Sequence, residues 1–309
     1  DEWIGADRMR SKALRAGGQG AAAGGRAGRL RARQQGRRLF SMADQTARFE
    51  RAKAEDNRRF LDISSVYDGS ALKGKRVVVI GANQGLGLCL LKELVAQGAE
   101  AIGTCRTETA EMQAVGAKQI ITGVEVTDTD SLKKMAGQLE APLDYVIYNA
   151  GYFPDITDNL DSIQIQEAVK QIDICGLGPL RCVAVLKAAD LLKGCKVVII
   201  SSQAGSVEWR FTQNAGEGGD YGHHMSRAAC NIAGALMSEE LKAAGVPVVL
   251  LHPGFNRTDM TSKYSHIWDV EGAVDSSVGA KRVLHEVKAI SMDITGKFIN
   301  CEDGLQIPW

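Results

Sequence analysis

The chain has 309 residues, 45% hydrophobic and 24% charged, with a formal net charge of zero, a composition able to bury a large core. The balance is uneven: residues 1–41 carry ten Lys/Arg against three acids, and the rest has a small excess of acids. A mildly acidic body argues against a nucleic-acid partner and no apolar run reaches membrane-spanning length, while seven scattered cysteines without a CxxC pair read as reduced thiols, neither disulfides nor a metal site.

The first 41 residues are rich in Arg, Gly and Ala, lack apolar periodicity and are expected not to fold alone. They read either as an organelle transit peptide (chloroplast or mitochondrion), which is Arg-rich and acid-poor but usually richer in Ser, or as translated sequence upstream of Met42. Cytoplasmic residence goes with the second reading. Residues 42–72 read as a charged helix and a linker around Tyr67-Asp68-Gly69-Ser70, ahead of a domain at 73–309.

From Lys73 onward, short β-branched runs alternate with helical stretches. Strands are expected at Arg76–Ile80, Ala99–Thr104, Gln119–Glu125, Leu143–Tyr148, Lys196–Ser201, Val246–Leu251 and Lys297–Asn300. The clearest runs, RVVVI, KVVII and PVVLL, are continuously apolar, as strands covered on both faces require. Between the first two, Leu86–Gln97 places Leu88, Leu91, Leu94 and Val95 on one side of a helix that stops at Gly98. Strand–helix alternation means βαβ units, so the fold class is α/β: a doubly wound Rossmann-type fold with a seven-stranded, mainly parallel sheet and helices on both faces.

The first strand ends in Gly81-Ala82-Asn83-Gln84-Gly85-Leu86-Gly87 and a helix opens directly after it. Glycines permit the tight turn and the close approach of backbone to a diphosphate, and the helix N-terminus supplies free N–H groups and a positive dipole end. That combination predicts a dinucleotide cofactor. An NAD site places an acid at the end of the second strand to accept from the ribose hydroxyl. Here the corner reads Gly103-Thr104-Cys105-Arg106-Thr107, and Arg106 is a fit partner for a 2′-phosphate, which favours NADP, with NAD the alternative. Glu125 and Val126 at the end of the third strand are expected near the adenine.

Further along come Tyr148-Asn149-Ala150-Gly151, Ser201-Ser202 at the end of the fifth strand, Tyr221-Gly222-His223-His224-Met225-Ser226-Arg227-Ala228-Ala229, and Pro253-Gly254 followed by Thr258. With the glycine turn in its GxxxGxG spacing, this order over residues 73–309 resembles the short-chain dehydrogenase/reductase family, and the last stretch, Gly296-Lys297-Phe298 through Ile307-Pro308-Trp309, resembles the C-terminus of its C-factor and carbonyl-reductase-like subgroup. The resemblance implies that Asn149, Ala150 and Gly151 pack at the adenine side, that Ser202 is the catalytic serine, that Pro253 and Gly254 belong to the cofactor site, and that Thr258 meets the nicotinamide carboxamide. It also implies a small-molecule carbonyl or alcohol substrate, and it leaves homo-oligomers open.

Three catalytic positions depart from the family pattern. Aligning Ser226-Arg227-Ala228-Ala229 on S-K-A-A puts Arg227 where the family has its lysine, which also holds the nicotinamide ribose, and His223 where it has its tyrosine. Cys175 occupies the position of the family asparagine. Tyr221 lies two residues upstream of His223, about 200° away on a helix, and faces the site only if the helix has not begun. The glycines of the preceding loop are flexible enough to shift it. Three functions remain: an NADP-dependent carbonyl reductase using Ser202 with His223 or a displaced Tyr221, a cofactor-binding pseudoenzyme acting as sensor or scaffold, and another reaction, such as isomerisation or dehydration, on the same fold. Trp209, Phe211, Tyr264 and Trp268 are candidates for lining a substrate pocket, or for anchoring loops by packing.

Overall fold

The computed structural model describes residues 40–309 apart from Asn214 and Glu217, so most of the basic tail lies outside the described residues. Seven strands form one sheet: β1 Arg76–Ile80, β2 Glu100–Thr104, β3 Gln119–Ile121, β4 Tyr145–Tyr148, β5 Lys196–Ile200, β6 Val248–His252 and β7 Phe298–Asn300. Their spatial order is 3-2-1-4-5-6-7 and every pairing is parallel. The expected third strand is shortened to three residues, because Gly123 turns the chain at φ +71° and Ser131 draws the backbone of Glu125 and Gly123 into the next helix.

The β-branched runs are buried on both faces, and alternate residues feed two separate cores. Val78 and Ile80 of β1 join Leu132, Met135, Leu186 and Met237 on one face; Val77 and Val79 join Leu91, Leu94, Leu284 and Val287 on the other. The first face is covered by α3 Thr129–Ala136, α5 Gly178–Ala188 and α6 Tyr221–Leu241, the second by α2 Gly85–Ala96 and α7 Ser276–Val287. A helix α4, Ile165–Gln171, runs through a π-turn at Ile172–Leu177 into α5.

Between β1 and β4 the strand order reverses direction. From β1 the chain winds outward through β2 to β3 on one side, then crosses back to β4 and winds outward through β5 on the other. At such a switch point the loops leaving the carboxyl ends part and open a crevice, which is where ligands of open α/β sheets bind. Gly81 and Asn149 stand at that crevice.

The helix expected ahead of the domain, α1 Gln45–Ala54, is built into the same compact unit, Phe40–Trp309. Phe40 and Ser41 pair with Gln306 beyond β7, Asp44 caps α1 by accepting from the Ala47 amide, and Phe49 packs on Gly272. Arg48 of α1 is buried with Glu302 and Arg282, an arrangement in which one carboxylate lies between two guanidiniums at 3.3 and 3.5 Å. Burial alone would raise the Glu302 carboxyl, but Arg48 and Arg282 hold it down at about 2. Read from sequence, α1 is a charged and therefore solvated helix; in the fold its central arginine is an interior ion.

Candidate active site

The glycine turn is a cradle that only glycine fits. A Cβ at Gly87 would stand 2.0 Å from the Gly81 carbonyl and 2.5 Å from the Asn149 side-chain nitrogen, and one at Gly81 would meet Ala150 Cα at 2.8 Å. Asn149 Nδ2 donates to the Gly81 carbonyl at 2.7 Å, tying the turn after β1 to the end of β4. Asn83 is held by its own carbonyl, which accepts from Thr109. At the N-terminus of α2, Gln84 makes no capping bond, so the first amides of the helix are free to receive an anion. Thr258 faces this turn from the other side, with its Cγ2 3.7 Å from where a Gly85 Cβ would be.

From the turn a cavity of about 400 Å³ runs along the carboxyl ends of β4, β5 and β6. Gln84, Gly85, Leu86, Asn149, Gly151, Ser202, His223, Arg227, Pro253, Gly254 and Thr258 all line it, so most of the residues singled out by motif converge on one space. Arg106, Glu125, Val126 and Asn83 do not. Arg106 is exposed at the corner after β2, loosely paired with Glu125 at 3.8 Å, while the Val126 carbonyl is occupied by Arg181. Tyr221 does not line it either. It is the first residue of α6, its amide donates to Asp158, and its hydroxyl lies toward Gly218. The helix has begun, so Tyr221 points away, and the displaced-tyrosine expectation fails on geometry.

The adjacent serines and the adjacent histidines take distinct roles. Ser201 Oγ donates to Asn231 at 2.6 Å and is structural; Ser202 Oγ accepts from the Ala204 amide at 3.2 Å, which leaves its proton for a ligand. His224 Nδ1 lies 2.9 Å from the Ala204 carbonyl, which can only accept, so Nδ1 carries the proton and Nε2 receives from Arg210. His223 instead stacks on Phe153 at a centroid distance of 4.2 Å, and its Nδ1 has no partner among the described residues. Arg227 is buried, donates to the Ile200 carbonyl at 3.3 Å, and reaches Gly151, where a Cβ would be 3.0 Å from its Nη2. Cys175 lies at the π-turn and contacts the backbone of Tyr152.

Other wall residues carried no motif. Gln45, Gln203, Arg210, His252 and Glu271 line the cavity. Of the four aromatics singled out, only Tyr264 does. Trp209 is buried beneath Arg48 and Phe211 is exposed, so both belong to loop packing or surface. Tyr264 and Lys263 grip Asp220, at 2.5 and 3.3 Å, in the left-handed turn that starts α6.

Three rings near the cavity are kept neutral. Burial, and then the charge of Arg227, hold His223 well below its ordinary 6.5; burial lowers His224, and pushes His252 down to about 3. The stability contribution of such a group is present above the unfolded value and is lost as pH falls below it. At pH 5 the unfolded chain binds protons that the folded rings refuse, which for His252 alone costs about 2 kcal/mol. The melting temperature is therefore expected to drop by roughly 4–8 °C or more between pH 7.5 and pH 5 in thermal melts. An unchanged value would mean that these rings protonate freely in the fold.

Comparison with known proteins agrees with this geometry. The family model for short chain dehydrogenase matches residues 75–267. The 1-hydroxy-2-glutathionyl-2-methyl-3-butene dehydrogenase of Rhodococcus sp. (strain AD45) is 29% identical over 236 residues, covering 75% of this chain and 99% of that protein. C-signal of Myxococcus xanthus is 31% identical over 170 residues, covering 54% of this chain and 93% of the relative. Among solved structures, NADPH-bound carbonyl reductase from chicken fatty liver superposes with a TM-score of 0.67 at 24% identity, over 77% of this chain and all of that one.

Proposed function

The chain belongs to the short-chain dehydrogenase/reductase family, and from that premise we propose that it binds NADP(H) and reduces a small-molecule carbonyl to an alcohol. The observation that carries this reading is the continuity of one cavity from the uncapped N-terminus of α2, where Gln84, Gly85 and Leu86 of the glycine turn line it, to Ser202, His223 and Arg227. The residues present fit a nicotinamide dinucleotide: the α2 amides and Gly81–Gly87 for the diphosphate, Asn149 to Gly151 beside it, Arg227 for ribose hydroxyls, and Thr258 with Pro253 and Gly254 at the nicotinamide end. The bound nucleotide would supply hydride; the protein's share is position, charge and proton handling.

Ser202 can donate a hydrogen bond to the substrate oxygen, the proton itself coming from solvent water. His223, held neutral, cannot act as a ready imidazolium acid at neutral pH. It can polarise a carbonyl as a hydrogen-bond donor, and it can accept a proton when the reaction runs toward oxidation. Arg227 keeps a permanent positive charge below the site, which favours negative charge building on the substrate oxygen. The test is direct: fluorescence titration with NADPH, then NADPH consumption with a panel of aldehydes and ketones. Absence of nucleotide binding would end the proposal.

A second reading, a cofactor-binding protein with little or no turnover, is favoured by two observations: Tyr221, the tyrosine of the catalytic stretch, points away, and the histidine at the tyrosine position is kept neutral. Binding without consumption would select it.

Arg106 bears on the cofactor. At 78% side-chain exposure, with Glu125 only loosely paired, it is free to take a phosphate. Arg106→Ala is expected to raise the Kd for NADPH about 10- to 100-fold, the worth of a charge-assisted contact, and to leave NADH within about twofold. Equal losses for both nucleotides would place Arg106 on a group they share and remove the 2′-phosphate argument for NADP. Self-association fits the surface, since Ile165, Val169, Leu177, Leu180, Ile232 and Leu236 on α4, α5, α6 and the π-turn are exposed.

A further inference from the structure

The segment from Phe40 to Leu72 lies outside the family match, which starts at residue 75, yet it reaches the cavity. We infer that α1 is a working wall of the substrate site, in which Arg48 positions Gln203 to donate a hydrogen bond to a substrate carrying a second acceptor oxygen beside its reactive carbonyl. This rests on the reading of Ser202 as the residue facing that carbonyl.

Gln203 directly follows Ser202 and lines the same cavity. Its Oε1 accepts from Arg48 Nη2 at 2.8 Å, and its side chain has no other hydrogen bond among the described residues. A guanidinium only donates, so the amide cannot flip without losing that bond, and its two Nε2 hydrogens are left for whatever enters the cavity. Arg48 itself cannot swing. It is 4% exposed, bonded to the Met42 carbonyl, to Gln45 Oε1 and to Glu302, and stacked 5.5 Å from the Trp209 ring centroid. Gln45, also a wall residue, is saturated: its Nε2 donates to the Glu271 carbonyl at 3.1 Å and to Glu302 at 3.0 Å.

The same carboxylate ties this wall to the nicotinamide end. Glu302 Oε1 accepts from the Phe255 amide at 3.2 Å, and a Cβ on Gly254 would meet its Cγ at 2.6 Å, so the Pro253-Gly254 turn rests directly on the ion cluster that α1 completes. The α1 wall therefore sets the shape and polarity of the cavity beside the reacting carbon, and Gln203 is its one uncommitted donor next to Ser202.

The test uses two ketones of matched length, ethyl pyruvate and 2-hexanone, which differ by the acceptor oxygens beside the carbonyl. With the full chain and saturating NADPH, Gln203→Met and Arg48→Met are each expected to raise KM for ethyl pyruvate about five- to tenfold with 2-hexanone within twofold, the loss of one hydrogen bond, and Gln203→Met, which leaves Glu302 and the Pro253-Gly254 turn untouched, is expected to leave the NADPH Kd unchanged. Arg48→Met strips a partner from Glu302 and risks unfolding; Gln203→Met leaves the ion cluster intact and carries the test alone if needed. Ligand-observed NMR on the NADP-loaded protein measures the same preference without turnover, so an inactive protein with an ethyl pyruvate preference that Gln203→Met abolishes would sink the reductase reading and keep this one. Equal effects on both ketones, or none on either, would overturn it.

Discussion

Gly87→Ala is expected to raise the Kd for NADPH at least about 100-fold in a fluorescence titration, and to remove the rise in melting temperature that the nucleotide gives the parent protein. The reason is geometric. The added methyl would sit 2.0 Å from the Gly81 carbonyl oxygen and 2.5 Å from Asn149 Nδ2, and neither is a flexible tip that can step aside. Gly81 is fixed at φ +83° and clipped to Asn149, whose own backbone pairs with Ile80 at the end of the sheet. Relief must come from the start of α2, and tilting that turn turns its amides away from the diphosphate they are aligned to hold. Because α2 is anchored by Leu90, Leu91 and Leu94 in the core, the rest of the helix stays in place. The apo melting temperature should fall by only a few degrees, from the strain of one overpacked site. A variant that melts like the parent and still binds NADPH tightly would remove the diphosphate from this turn.

The sheet and this turn were legible in the sequence for the same reason. A strand buried on both faces must be continuously apolar, and RVVVI, KVVII and PVVLL between helical stretches read that way. A glycine where Cβ would strike a carbonyl leaves a letter that can be read. Single-residue direction was legible only in part. That Tyr221 and His223 cannot share a face follows from helical pitch, but which one faces inward depended on where α6 starts. That start is set by Asp220 in a left-handed turn gripped by Lys263 and Tyr264, 43 and 44 residues away in sequence. The resemblance picks Ser202 over Ser201, and the physical reason lies in Asn231, which accepts from Ser201 30 residues away. The α1 wall was hidden altogether. Arg48 in a run of charged residues reads as solvent-facing, and nothing local tells that Glu302, 254 residues on, is buried against it. Gln45, Gln203 and Glu271 have no motif because a substrate wall is assembled from long-range packing, while the cofactor cradle is assembled from neighbours.

The double variant His223→Tyr with Arg227→Lys is expected to raise kcat for carbonyl reduction by at least about 100-fold at pH 7, measured as NADPH consumption under saturating nucleotide. A well-placed general acid is worth roughly 10²–10⁴ in rate, and the parent lacks one: the His223 ring is neutral, since burial and Arg227 hold it well below 6.5. A phenol carries its proton at neutral pH and gives it up more readily beside a cation. Lysine at 227 supplies that cation as a compact ammonium in place of the Arg227 fork that now reaches Gly151. Neither single change should suffice. His223→Tyr alone keeps the fork against Gly151, and Arg227→Lys alone leaves the acid missing, so the gain should be strongly non-additive. The pH profile gives a second reading of the same point. Parent turnover, limited by polarisation from a neutral ring and Ser202, should stay flat from pH 6 to 8. The double variant's reduction rate should fall as its tyrosine loses its proton at higher pH. If the double variant binds NADPH as well as the parent and turns over no faster, the cavity beside His223 does not hold the reacting carbonyl, and the catalytic roles assigned to Ser202 and His223 fall with it.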